Sequence, residues 1–210
     1  MGTTADLIAD RHGQTYAAEA GIRLADKPSP LFQLLVLALL LSARISSDIA
    51  VAAARELNAA GYRTPRAMTE ATWQDRVDAL GRGHYRRYDE RTSTMLADAA
   101  DHLLDRWNGD LRRLHDEGGD DPGRLRQLLQ EFKGIGPFGA DIFLREVQPV
   151  WTGIAPYADR RVAQAARRFG LPKSALAGSP SRTASLAAAL VRLSQDRKAA
   201  DALERELAHR

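Results

Sequence analysis

The chain contains no cysteine among its 210 residues. Without thiolates it has no disulfides and no cysteine-ligated metal site, so an iron–sulfur cluster held by four cysteines is excluded. Long apolar runs are also missing, since the longest, 34–41, is too short to span a bilayer. The first ten residues lack the basic start and apolar stretch of a secretion signal. We therefore expect no membrane partner and a cytoplasmic location, at the nucleoid if the cell is bacterial.

Strong charge imbalance is absent as well. The net charge is only +3, although arginine greatly outnumbers lysine and the pI is about 9.4. This balance permits nucleic-acid binding without demonstrating it. The apolar share of 44% and the charged share of 27% are those of a soluble globular protein with ample material for a core.

Helical periodicity runs through most of the chain, and no segment shows the alternation expected of a strand. A first helix is predicted from Thr3 or Thr4 to about Ala20. Residues 31–43 are apolar on every side, which indicates a helix at the centre of the core. An acidic loop is predicted at 116–122. The sequence therefore predicts an all-α fold, with further helices at 48–60, from Thr72 to Gly81, up to about Trp107, from Asp159 to Gly170 and from Ser181 onward.

The most informative motif lies at 125–144. Apolar residues at helical spacing lead to Phe132, and the turn Lys133-Gly134-Ile135-Gly136 ends that helix before Pro137 opens the next one. Glycine leaves the backbone bare, so its amides can approach a ligand closely, and a helix N-terminus favours an anion. This pattern predicts a helix–hairpin–helix that binds a nucleic-acid phosphate, with Lys133 adding positive charge. The alternative is a tight connection in which glycine serves only the backbone geometry.

Two further segments bear on function. The loop 81–88 combines His84 with Arg86, Arg87 and two tyrosines, a mixture that suits phosphate contacts and base stacking. A solvated loop is an equally good interpretation. Asp159 precedes ten residues of helical pattern, and taken alone it is best explained as an N-cap.

Three motifs in this order resemble the helix–hairpin–helix (HhH-GPD) DNA glycosylases, the superfamily of endonuclease III. They are Leu-Leu-Ser-Ala-Arg at 40–44, the hairpin through Ala140, and a Gly/Pro-rich segment that ends at Asp159. The resemblance covers roughly 31–171. It implies a two-lobed helical fold with DNA in the cleft between the lobes, in which 29–145 forms the central lobe and 1–28 with 146–210 forms the other. It also implies a monomer that binds double-stranded DNA containing a lesion or a mismatch.

The resemblance assigns chemistry to individual residues. Family members flip the target nucleotide out of the duplex, and Arg44 matches the position whose side chain enters the vacated stack. Asp159 would face the extruded nucleotide and stabilise the positive charge that develops on the sugar as the base departs. The hairpin, Lys133-Gly134-Ile135-Gly136, would bind the DNA backbone. The composition of the basic loop makes Arg86 and Arg87 further candidates for phosphate contacts. A monovalent cation at the hairpin is compatible with the family, and no other cofactor or metal is expected.

Two departures from the family pattern limit the activity. Bifunctional members carry a lysine just after the second glycine, which attacks the sugar and forms a Schiff base. That position is Phe138 here, so we expect a monofunctional glycosylase that leaves an abasic site. The cysteine cluster of many endonuclease III relatives is absent, as it is in alkylation-repair members. A DNA-binding protein that has lost the chemistry is the alternative, and a glycosylase with lyase activity is a less favoured one.

The sequence does not identify the base that is removed. Phe138, Tyr157, His84 and Trp151 are candidates for stacking on an extruded base, and each is equally well explained by core packing. An alkylated purine would need mainly stacking and an aspartate, whereas uracil, mismatched thymine or an oxidised pyrimidine would need specific hydrogen bonds.

Overall fold

The computed structural model describes residues 3–208. All regular structure in this range is helical and no strand occurs in it, which confirms the all-α prediction. The chain divides into two units. A terminal unit contains the chain up to Thr15 and from Gln148 onward, and a central unit comprises Tyr16–Val147.

The central unit consists of nine helices in its described residues. In chain order they are α2 (Tyr16–Glu19), α3 (Pro28–Leu41), α4 (Ser47–Ala59), α5 (Pro65–Glu70), α6 (Trp73–Arg82), α7 (Asp89–Trp107), α8 (Leu111–Gly118), α9 (Pro122–Leu129) and α10 (Pro137–Val147). As predicted, α3 is buried almost throughout, because it packs against α4 on one side and α10 on another. The apolar segment therefore forms the centre of this unit's core.

The terminal unit is built from the two ends of the chain. Its helices are α1 (Thr4–His12), α11 (Arg160–Arg168), α12 (Pro180–Gln195) and α13 (Arg197–Ala208), with 3₁₀ turns at Thr152–Ile154 and Lys173–Leu176. α12 packs against α1, α11 and α13. Ile8, Val162, Leu190 and Leu203 bring one apolar side chain from each helix into a shared core.

Short polar side chains determine most helix starts. Thr3 and Thr72 form capping boxes with Asp6 and Asp75, and the second of these lies at the helix start predicted at Thr72. Ser46 accepts a hydrogen bond from the first turn of α4. These caps satisfy amides that a helix start otherwise leaves without a partner.

The N-terminal region differs from the prediction of one helix reaching about Ala20. α1 ends at His12, and Gly13 caps it. A Cβ on Gly13 would lie 2.2 Å from the Ala9 carbonyl oxygen and 3.0 Å from that of Ser185 in α12, so this position favours glycine. The boundaries expected at 28/29 and 145/146 also differ from the division in the structure. Tyr16 and Ala17 are buried in the central unit, where the Ala17 amide donates to Glu146 Oε2 at 2.9 Å.

The acidic loop expected at 116–122 is shorter than predicted. α8 includes Gly118, so only 119–121 is irregular. Leu111 and Leu114 are both buried and Asp110 caps the helix, a short amphipathic pattern that the neighbouring acidic residues obscured.

Candidate functional site

The glycine hairpin connects α9 to α10 in the central unit. Gly134 has φ of 94°, and a Cβ there would fall 1.8 Å from Met95 Cε, so both conformation and space favour glycine. The Ile135 amide donates to the Phe132 carbonyl at 2.9 Å and its side chain is buried. Gly134 and Gly136 are exposed, and their amides donate to no residue within 3–208. Two amides, rather than three, are therefore open to a ligand.

Lys133 does not stand alone beside these amides. Its Nζ lies 2.7 Å from Asp98 Oδ2 on α7, and the lysine side chain is largely exposed. Exposed pairs of this kind stabilise a protein little. A phosphate could therefore compete with Asp98 for the ammonium group.

A cavity of about 280 Å³ brings three sequence-predicted features of the central unit together. Its lining includes Arg44 from the turn between α3 and α4, Tyr85 and Tyr88 from the basic loop, and Gly134 from the hairpin. The α3–α4 turn also lies against the start of α10, where a Cβ on Gly139 would approach the Ser42 hydroxyl. Arg44, the basic loop and the hairpin thus form one continuous surface.

The basic loop exposes His84, Arg86 and Arg87 and buries Tyr85 between them. His84 adopts φ of 62°, and the Arg87 guanidinium lies 5.2 Å from the centre of the Tyr88 ring. Burial raises the pKa of the Tyr85 hydroxyl, which the Thr92 side chain partly opposes. Sequence analysis included Tyr85 and Tyr88 in this loop, but it did not identify the cavity residue Arg91.

Asp159 belongs to the terminal unit and is the N-cap of α11, as predicted. Its Oδ1 accepts from the amides of Arg161 at 2.8 Å and Val162 at 3.0 Å, and the residue is only 8% exposed. Gln148 orders the segment that leads to it: the Tyr157 amide donates to Gln148 Oε1 at 2.6 Å, and Gln148 Nε2 donates to the Tyr157 carbonyl at 3.2 Å. Gln148 is fully buried, and no sequence motif identified it.

The four stacking candidates have different environments. His84 is exposed, whereas Phe138 in the first turn of α10 and Tyr157 before α11 are half-buried. Trp151 is 1% exposed, so its ring offers no free face and fits the core-packing alternative. Phe138 and His84 belong to the central unit, and Tyr157 and Trp151 to the terminal unit.

No group of three or more histidine, aspartate or glutamate side chains within residues 3–208 is arranged to hold a metal ion. None of the helices described here is both long enough and apolar enough to cross a bilayer.

Comparison with known proteins gives a sparse result. No protein-family profile matches the chain. No curated protein sequence matches it either. Among solved structures, the chain is similar to a trapped endonuclease III–DNA covalent intermediate, an estranged-adenine complex, at 16% sequence identity and a TM-score of 0.49, over 91% of this chain and 85% of that one. A likeness of this size is too low to establish a shared fold.

Proposed function

We propose that this chain is a base-excision-repair DNA glycosylase that flips a damaged or mismatched base from duplex DNA and hydrolyses its N-glycosidic bond. The observation that carries the proposal is the hairpin, in which Gly134 and Gly136 expose two unused amides at the start of α10. Amides in this position bind anions, and a DNA phosphate is the anion that the motif order implies. Lys133 adds a charge there once it exchanges Asp98 for the phosphate.

The continuous surface around the 280 Å³ cavity would then follow the DNA backbone. Arg44 is exposed at the α3–α4 turn, where its side chain would fill the space left by the flipped nucleotide. Arg86 and Arg87 are exposed in the loop that contributes Tyr85 and Tyr88 to the cavity lining, and they would contact phosphates. The penalty for flipping is a few kcal/mol, and it is lowest for a mismatched or damaged base.

Asp159 would supply the chemistry. As the C1′–N bond breaks, its electron pair leaves with the base and positive charge develops on the sugar, which an ionised carboxylate stabilises. A water oxygen bonds to C1′, and Asp159 or the departing base takes the water's proton. Because Oδ1 is held by two backbone amides, the carboxylate has a fixed orientation.

The activity would be monofunctional. Phe138 occupies the position of the Schiff-base lysine and has no nucleophilic atom. A monovalent cation would fit the turn, since the carbonyls of Lys133 and Gly134 accept no hydrogen bond within 3–208. Such an ion would add positive charge near a phosphate and take no part in bond cleavage.

The second candidate is a DNA-binding protein without chemistry. One observation favours it: both cap hydrogen bonds of Asp159 are explained by helix initiation alone. The hairpin and the arginines would then account for the whole function, and Asp159 would have a structural role.

Base release from a panel of duplexes tests both candidates. The panel contains an alkylated purine, uracil, a thymine mismatch and an oxidised pyrimidine. Asp159→Asn keeps a capping side chain, so DNA affinity and thermal stability should hold while base release falls about 10²- to 10³-fold. Asp196→Asn is the matched control, because Asp196 caps α13 in the same unit but is exposed.

Three outcomes discriminate the candidates. Release lost in Asp159→Asn and retained in Asp196→Asn supports the glycosylase. Absence of release from every duplex, with intact DNA binding, supports the protein without chemistry. Covalent trapping on substrate DNA by borohydride would contradict the monofunctional assignment.

A further inference from the structure

The exposed face of α11 has no role in the proposed mechanism. This nine-residue helix contains four arginines and no acidic residue. Val162, Ala165 and Ala166 are buried, and the opposite side presents Arg160, Gln164 and Arg167 to solvent. We call these three residues the α11 face. Arg161 and Arg168 flank it on one edge.

Ion pairs neutralise Arg168 at one edge of α11, but the α11 face remains charged. Arg168 Nε lies 2.7 Å from Glu204 Oε1, and its Nη2 lies 2.7 Å from Asp201 Oδ1, both on α13. These contacts, that with Glu204 above all, raise the pKa of Arg168. Arg160 and Arg167 make no ion pair or side-chain hydrogen bond with any residue in 3–208. Two guanidinium groups on one face of the helix thus remain available to a ligand from outside.

The position of Arg160 is unfavourable for folding. It is the first residue of α11, where the helix dipole disfavours a positive charge, whereas Arg167 in the last turn is favoured by the same dipole. Helix stability therefore explains Arg167 but argues against Arg160. A residue that breaks a local rule without a compensating contact is best explained by function.

The terminal unit contains a second Asp-Arg dipeptide at a helix start, so the dipeptide by itself does not indicate a ligand site. Arg197 follows the capping residue Asp196 at the start of α13, as Arg160 follows Asp159. Arg197 has a carboxylate nearby, since its Nε lies 3.8 Å from Asp201 Oδ2. The Arg197 guanidinium is therefore partly neutralised by a carboxylate of its own helix, whereas the Arg160 guanidinium has no such ion pair within 3–208.

We propose that Arg160 and Arg167 form a second phosphate-binding surface, separate from the hairpin, that holds the backbone of duplex DNA. The two residues are seven positions apart, which places them about 10 Å apart along the helix axis, or about three nucleotide steps along one DNA strand. Gln164 lies between them and can donate to the same strand. The inference rests on the proposed function only in taking DNA as the polyanion; it requires no base release.

The test measures the affinity of the full chain for an undamaged, fluorescently labelled duplex at several salt concentrations. Each arginine that contacts a phosphate contributes about 0.9 to the slope of log affinity against log salt. We therefore expect Arg160→Gln and Arg167→Gln each to reduce the slope by about 0.9, and the double variant by about 1.8, with roughly a five- to tenfold loss of affinity per arginine near 0.1 M salt. Arg197→Gln is the control and should leave the slope unchanged.

A stability measurement separates binding from folding. Arg160→Gln removes an unfavourable charge from a helix start, so its melting temperature should equal or exceed that of the wild type while its DNA affinity falls. Arg197→Gln should show the same melting behaviour without the loss of affinity. A merely structural role for Arg160 would not produce this opposition.

Other results would overturn the inference. An unchanged slope in the double variant, or an equal decrease in Arg197→Gln, would show that the α11 face does not contact DNA. If the double variant keeps its DNA slope but loses binding to polyglutamate, the face serves an acidic protein and the inference is wrong. If no duplex yields base release but the slopes change as expected, the glycosylase proposal fails and this surface stands.

Discussion

The starts of α11 and α10, one in each unit, differ in what binds their first backbone amides. α11 begins after Asp159, whose carboxylate occupies two of its first amides. α10 begins after Gly136, which has no side chain to offer, and Gly134 and Gly136 lie exposed before it. The first helix start carries its own anion and the second leaves room for an external one. The proposed hydrolysis needs both a fixed carboxylate and a bound phosphate, and the starts of α11 and α10 would supply one each.

The largest effect on stability should come from releasing the segment that leads to Asp159, the residue that caps α11. Gln148→Leu removes both hydrogen bonds to the Tyr157 backbone, two residues before Asp159. We expect about 2 kcal/mol less stability in urea unfolding, because a partly buried amide and carbonyl lose their partners. If Asp159 is catalytic, base release should fall while the DNA affinity of the hairpin is unchanged.

Gln130→Leu is the control for this change. Gln130 is also partly buried, but its side chain donates to the carbonyl of Arg126, four residues earlier at the end of α9. Its loss should cost less than that of Gln148. Equal stability of Gln148→Leu and the wild type would show that the side-chain amide does not order this segment.

The exposed amides before α10 can be tested by replacing Gly134 or Gly136 with alanine. Gly134→Ala should lower stability by about 1–2 kcal/mol, because alanine is strained at positive φ, and Met95 must also move. Gly136 has ordinary φ and open space around its Cβ position, so Gly136→Ala should fold as stably as the wild type. On an exposed phosphate site, however, this methyl group should weaken DNA binding. Unchanged affinity in Gly136→Ala would mean that no phosphate approaches this amide.

Sequence reasoning recovered the elements whose causes are local. Thr72 with Asp75, Asp159 before α11 and the glycines at 134 and 136 each act within a few residues, so their structure follows from neighbouring side chains. The close packing at Gly13, just after α1, involves instead the backbone of Ser185 in α12, distant in the chain. Such contacts have no signature in a short window of sequence.

The candidate site was predictable to a similar extent. The hairpin, Arg44 and the basic loop were identified separately, but their meeting at one cavity depends on packing within the central unit. Gln148 has no motif because its role comes from two bonds to backbone groups nine residues away. Lys133 was expected to add positive charge at the hairpin, and no short motif indicated its pairing with Asp98 on α7.

A third helix start, at α1, gives the smallest effect and a pH signature. Asp6 completes the capping box with Thr3 and also accepts from Arg182 on α12. The Arg182 contact, followed by those with Thr3, lowers the pKa of Asp6 from 3.8 to about 2. Because the pKa is lower in the folded state, ionised Asp6 stabilises the fold above the unfolded-state value, and that contribution disappears as the pH falls through about 2.

Asp6→Asn should therefore lower the urea midpoint modestly at neutral pH, and its difference from the wild type should shrink steadily below pH 3.8. Asp75→Asn provides the comparison, since Asp75 has the same capping box but no arginine hydrogen bond, and its pKa is lowered chiefly by Thr72. A smaller effect in Asp75→Asn would assign the surplus to Arg182. If the difference in urea midpoint between Asp6→Asn and the wild type stays constant from neutral to acidic pH, the charge of Asp6 contributes nothing to stability. Hydrogen bonds alone would then account for the capping of α1.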